Sequence, residues 1–272
     1  MSLAIFILLV AAGLLAAYVL MTMARRRARR RLAFTSPFPD EWAQVLHQNI
    51  PPYAKLSSKL RQELHQDINL FLVEKSFEGC EDLTITDEIK VTIAAQACLL
   101  LLNRTDRCYP KLRSVVVYPS AYVAGGKSLF NRDEKKSVRL GESWGTGTVV
   151  LSWNHVKKGA FNFRDGHNVT MHEFAHQLDQ EDGAADGVPI LERRSAYSSW
   201  ATVFSREFEQ LQRKGRKKKR NVLDAYGATN PAEFFAVATE TFFEKPVQLQ
   251  KKHPELYQEL LKYYKTDPLE WV

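Results

Sequence analysis

The pentapeptide His172-Glu173-Phe174-Ala175-His176 constrains this 272-residue chain more than any other stretch. Four residues along an α-helix amount to about 400° of rotation and about 6 Å of rise, so both imidazoles lie on one face. Two imidazoles so placed can ligate one Zn²⁺ at ~2.0–2.1 Å. Glu173 points to the side, where it reaches a water on such an ion rather than the ion itself, as a general base must. Phe174, Ala175 and Leu178 are apolar. The helix, expected from about Asn168 to Gln180, is therefore buried, and a buried imidazole pair needs a partner. A catalytic zinc takes three protein ligands and keeps a position for water, so the fold must deliver one more donor onto this face.

The best source of that donor is Tyr226-Gly-Ala-Thr-Asn-Pro-Ala-Glu233-Phe-Phe-Ala. Glu233–Phe243 is apolar nearly all round, as in a helix packed inside a protein. Glu233 and Glu240 stand two turns apart on one side of it, and spacing alone leaves both open as the third ligand. Asn230, Pro231 and Glu233 also fit a capping box, which gives Glu233 a purely structural alternative. Asp179, one turn past His176, reads equally as a hydrogen-bond partner for a ligand imidazole or as an ordinary helix C-terminal acid. His155 and His167 read as surface or core histidines, and Tyr226 by itself as a core or turn tyrosine.

Charge restricts the partners. The net charge is +7, from 38 Lys+Arg against 31 Asp+Glu. Six arginines in Arg25–Arg31 and seven basic residues in Arg213–Arg220 account for 13 of the cations, leaving 25 against 31, or −6. The body is mildly acidic, and no nucleic-acid partner is expected. The run Arg213–Arg220 reads as a solvated turn, with contact to anionic lipid as the sharper alternative. Cys80, Cys98 and Cys108 form no CxxC pair and suit a reducing compartment.

Ser2–Ala24 carries no charge. As a helix it reaches ~34 Å, enough for the ~30 Å hydrocarbon core of a bilayer. The arginines that follow place the body in the cytoplasm and the N-terminus outside. The expected organisation is a transmembrane anchor at 1–24, a basic juxtamembrane linker at 25–38 and one domain at 39–272. Within that domain, helices are expected at about Lys55–Lys75, after Thr86, at Ser198–Arg213, at Pro231–Phe243 and at Pro254–Tyr264. Strands are expected at Ser114–Tyr118 and Thr148–Trp153, with a loop or irregular hairpin over Ala121–Gly147. The class is α+β: mostly helices with a small sheet.

HEFAHQLD (His172–Asp179), GVP (Gly187–Pro189) and AYGATNPAEFFAV (Ala225–Val237) resemble the Mlc titration factor A family of zinc peptidases. The last block is also similar to the catalytic domain of anthrax lethal factor, a gluzincin-type metalloprotease. VYPSAYV (Val117–Val123) and GTVVLSW (Gly147–Trp153) extend the likeness over most of the body. It is weak before about Lys55 and absent from the apolar N-terminal segment.

The resemblance implies a mostly helical, zincin-like (gluzincin) metallopeptidase domain with a small mixed sheet; the one N-terminal transmembrane helix expected before it is read from hydropathy and charge. The resemblance implies one Zn²⁺ per chain, held by His172, His176 and Glu233, which lifts Glu233 over Glu240. It implies Glu173 as general base, Tyr226 as stabiliser of the developing oxyanion, and Val149–Trp153 along the substrate cleft. The implied function is hydrolysis of a peptide or protein substrate; the anchor read from hydropathy and charge places it at a bacterial inner membrane, with the peptidase domain in the cytoplasm. The alternative the resemblance raises is a module that binds and sequesters a transcriptional repressor, with slow or vestigial catalysis.

Overall fold

The computed structural model describes residues 3–104, 108–124, 137–139, 141–144, 147–216 and 221–271. Helix α1, Leu3–Thr35, opens the chain. Among the described residues no helix is long and apolar enough to cross a membrane. The expected transmembrane helix at 1–24 is therefore not supported by the described residues. The stretch expected as a linker is helical through Thr35. Its arginines dock on the body: Arg30 Nη1 lies 3.2 Å from Glu74 Oε1 and Arg26 Nη2 3.8 Å from the same oxygen.

Next come α2 (Asp40–Asn49), α3 (Ser58–Glu74), β1 (Ser76–Gly79) and α4 (Asp87–Leu99). Thr86 caps α4 as expected, its Oγ1 accepting from Ile89 N at 3.3 Å. Strands β2 (Ser114–Tyr118), β3 (Tyr122–Ala124), β4 (Ser137–Arg139), β5 (Gly141–Trp144) and β6 (Thr148–Ser152) follow. The loop or irregular hairpin expected over Ala121–Gly147 carries three short strands in its described parts, of which β3 and β4 pair antiparallel.

The main sheet runs β1-β2-β6-β5, with β1, β2 and β6 parallel and β5 antiparallel to β6. It is small and mixed, as expected. Parallel strands need a crossover that covers a face of the sheet. Between β1 and β2 that crossover is α4, whose residues from Val91 to Leu99 are all buried. Val115, Val117, Val149 and Leu151 pack the sheet side of this core.

The second half is helical: α5 (Trp153–Phe161), α6 (Val169–Asp179), α7 (Arg194–Arg216), α8 (Pro231–Glu244), α9 (Pro246–Lys252) and α10 (Pro254–Tyr264). Helix α7 is longer than the expected Ser198–Arg213, so the basic run begins on a helix, and its residues 217–220 lie outside the described residues. Every residue of α8 from Phe234 to Glu244 is buried. One side meets α6, and Phe234 and Phe235 meet Trp200 and Phe204 of α7.

One glycine sets the spacing of this layer. Gly187 has φ +78°, and a Cβ there would sit 2.3 Å from the Pro231 carbonyl oxygen at the start of α8. Its N–H donates to Asp179 Oδ2 at 3.0 Å and its carbonyl accepts from Trp200 Nε1 at 3.1 Å. It therefore ties α6, α7 and α8 at one point. Gly187→Ala should cost about 2 kcal/mol or more, lowering Tm of the metal-free chain by roughly 5 °C or more in a thermal melt. A melt unchanged from wild type would show that the close approach is not required.

Candidate metal centre

Helix α6 carries both motif histidines, and its start is fixed by Asn168, whose Oδ1 accepts from Met171 N at 3.0 Å. The start of α8 is fixed likewise: Asn230 Oδ1 accepts from Glu233 N at 2.9 Å. Pro231 follows at the first helical position, where the lost N–H has no partner to miss. The capping expected of Asn230 is therefore present. The Glu233 carboxylate is turned across to α6.

There it closes a triangle of donor atoms. Glu233 Oε2 lies 2.9 Å from His172 Nε2 and 3.4 Å from His176 Nε2, and the two Nε2 atoms are 3.2 Å apart. A tetrahedral ion with donors at ~2.0–2.1 Å holds them about 3.3 Å from one another. The triangle fits a zinc-sized ion and its nitrogen–oxygen donor set suits zinc. Among the described residues this is the one group of His, Cys, Asp or Glu side chains whose donors converge to hold a metal ion.

Glu240 takes the other side of the His172 ring. Its Oε1 lies 2.7 Å from His172 Nδ1, and its Oε2 accepts from Asn168 N at 2.5 Å. The two glutamates that spacing left equivalent are thus separated by geometry: Glu233 faces both Nε2 atoms, Glu240 only the back of one ring. A carboxylate on Nδ1 fixes the tautomer, leaving the Nε2 lone pair free to point into the triangle.

Glu173 is buried, and its charge acts on His172. Burial alone would lower the His172 pKa, but the bonds to Glu233 and Glu240 and the nearby carboxylate charges outweigh it and raise it well above the usual range. Burial likewise opposes ionisation of Glu233, yet His172 and His176 hold its carboxyl far below the usual carboxylate range.

The other sequence-selected residues divide. Tyr226 is exposed on the 3-10 turn Ala225–Ala228, its ring centroid 6.0 Å from that of His172. Asp224 holds that turn by accepting from Tyr226 N at 2.7 Å. Asp179 ends α6 and bonds the Gly187 backbone, so it ties the loop rather than ending a solvated helix. Burial pushes its pKa up to about 6. His155 Nδ1 pairs with Ser152 Oγ at 2.9 Å, and His167 Nε2 is 3.7 Å from Asp224 Oδ2. Neither joins the triangle.

Glu244 escaped sequence reading. Its Oε2 accepts from Gly166 N at 2.8 Å and His167 N at 3.2 Å, and its Oε1 from Asn168 Nδ2 at 3.1 Å. Burial pushes its pKa up to about 8 against these donors. The signal was available: Glu233, Glu240 and Glu244 follow one another at helical spacing, a single acidic stripe on an otherwise apolar helix.

Strand β6 differs from expectation. Val149–Trp153 was to lie along a cleft, but β6 has β2 on one side and β5 on the other, so neither of its edges is open. Among the described residues the outer strand on the β6 side is β5, against which α6 packs.

Two histidines from α6 and a carboxylate from α8 thus converge as a candidate metal site. A family model described as glucose-regulated metallo-peptidase M90 matches residues 23–265, and the chain belongs to that family. It is 45% identical over 247 residues to an uncharacterized protein of Synechocystis sp., covering 89% of each chain. It is 31% identical over 235 residues to Mlc titration factor A of Serratia proteamaculans, covering 84% of this chain and 88% of that one. The same-named protein of Yersinia pestis is 29% identical over 235 residues, with 84% and 85% covered. The family expected from the motifs is borne out.

Glu240→Gln keeps the shape but weakens the hold on Nδ1. It should lower zinc affinity about 10–100-fold, measured by chelator competition. Unchanged affinity would show that this bond does not support the site.

Proposed function

We propose that this protein is a zinc-dependent peptidase in which His172, His176 and Glu233 bind the metal and Glu173 is the general base. The donor triangle, with sides near those of a tetrahedral zinc site, is the observation that carries this reading. Bound there, zinc would polarise the scissile carbonyl and make a water acidic enough to attack near pH 7.

The chain's own residues do the rest. The Glu173 carboxylate takes a proton from the attacking water and returns it to the leaving amine nitrogen. The Tyr226 hydroxyl donates to the oxygen that becomes negative as the carbonyl turns tetrahedral. Its exposed position suits a group that meets an incoming substrate. Glu240 keeps His172 in the tautomer that leaves Nε2 unprotonated. An extended substrate adds to the outer edge of β5, beside α6, through backbone hydrogen bonds.

A second reading is supported by the name of the relatives near 30% identity, which describes a factor that titrates Mlc. In that reading a transcriptional regulator is captured by the body, and hydrolysis is slow or dispensable. One variant separates the two. Glu173→Gln should retain zinc while lowering kcat/KM on peptides by about 10²–10⁴-fold. Tyr226→Phe should cost about 10²–10³-fold in kcat. A Glu173→Gln protein that performs its cellular task unimpaired would favour regulator capture and overturn the catalytic reading.

The N-terminal segment supplies membrane attachment in this proposal, with the body on the arginine, cytoplasmic side. The uncharged sequence Ser2–Ala24 supports it, as does the exposure of Leu14, Leu15 and Leu20 on α1. The full chain should then stay in the membrane pellet after an alkaline carbonate wash and leave it only with detergent. Recovery in the wash would overturn the attachment.

A further inference from the structure

A cavity of about 620 Å³ opens between the α5–α6 connection, α9 and the C-terminal turn. Phe161 and Val247 form its lip, 52% and 51% exposed, and the buried rings of Phe163 and Trp271 line its wall. Such a volume suits a small molecule. Two features give the cavity a sign and a polarity. Lys55 and Arg164 stand exposed in its wall, and neither has an acidic partner among the described residues. The Trp271 indole N–H is buried with no acceptor among the described residues, an uncommon state for a native polar group. The one acid in the wall, Glu244, is turned onto the backbone of Gly166 and His167 and the side chain of Asn168.

We propose that this cavity binds a small apolar acid and that its occupancy is felt at the metal centre. The apolar body packs against Phe161, Phe163 and Val247, the carboxylate is drawn by Lys55 and Arg164, and an oxygen accepts from Trp271. The route to the metal centre is continuous. Glu244, in the wall, holds Asn168 at 3.1 Å; Asn168 N donates to Glu240 at 2.5 Å; Glu240 holds His172 Nδ1 at 2.7 Å. Phe161–Arg164, which an occupant touches, lead directly into Gly166–Asn168. Binding in the cavity is independent of the peptidase reading; the coupling rests on the metal site described above.

Naphthalene-2-carboxylate, titrated calorimetrically into the full chain, tests both. Saturable one-to-one binding is expected, weakened at least ~10-fold in a Lys55→Glu, Arg164→Glu double variant and for naphthalene-2-carboxamide as ligand. Both substituted residues are exposed, so the fold is retained, which a thermal melt verifies. Absence of saturable binding, or equal affinity for the double variant or the amide, overturns the site. Chelator-competition titrations of zinc should shift at least ~3-fold with the acid present, and only with Lys55 and Arg164 intact. Acid binding with no such shift overturns the coupling. Failure of the wild type to bind zinc at all sinks the metal-site reading instead, and the calorimetric titration reads the cavity without it.

Discussion

The Glu240 carboxylate, shared between the His172 ring and the Asn168 backbone, is the contact on which the centre depends. Helix α8 is buried along almost its whole length, and a charged group in such a helix is tolerated only when its hydrogen-bonding capacity is met. The three glutamates of its acidic stripe all find partners on α6 or the turn leading into it: Glu233 on the motif histidines, Glu240 on His172 and Asn168, Glu244 on Gly166, His167 and Asn168. A slide of either helix by one residue would strand all three at once. The register that suits burial is therefore the register that builds the donor triangle.

Electrostatics point the same way. His172 and Glu233 shift in opposite senses, the imidazole far up and the carboxyl far down. Burial disfavours both charges, so the mutual attraction has to exceed two desolvation penalties. In the proposed reading a divalent ion held by His172, His176 and Glu233 would serve all three donors at once.

Much of this was legible in the sequence because the period of a helix is rigid. His172 and His176 had to share a face, Thr86 and Asn230 could cap, and an all-round apolar stretch after Pro231 had to be buried. The choice between Glu233 and Glu240 was not legible from spacing, since both lie on the same side of α8 and only the depth and tilt of α6 decide which oxygen meets which nitrogen. Glu244 was missed although the acidic stripe on α8 marked it, because two of its three donors are backbone N–H groups of a loop, which carry no residue signature. Asp179 was read through its neighbour His176, but its bond reaches Gly187, across a turn whose path the sequence does not specify. At the N-terminus, charge and hydropathy announced an anchor and a linker; they did not announce that Arg26 and Arg30 would meet Glu74 of α3, a contact made only in three dimensions.

The sheet shows where a local pattern stops informing. Val149, Val150 and Leu151 read as a buried strand, and they are buried. A continuous apolar run is what a strand flanked on both edges requires, so the same pattern that identifies β6 argues against its serving as an open edge. The edge falls to β5, whose sequence Gly141-Glu-Ser-Trp144 has no apolar run to mark it as a strand. Its pairing is set by β6, residue for residue from Gly141 opposite Leu151 to Trp144 opposite Thr148. An edge that receives extended chains from solvent has to be polar enough to stand unpaired between encounters. Weak strand character at β5 is consistent with that requirement, and it explains why apolar periodicity led to the interior neighbour instead.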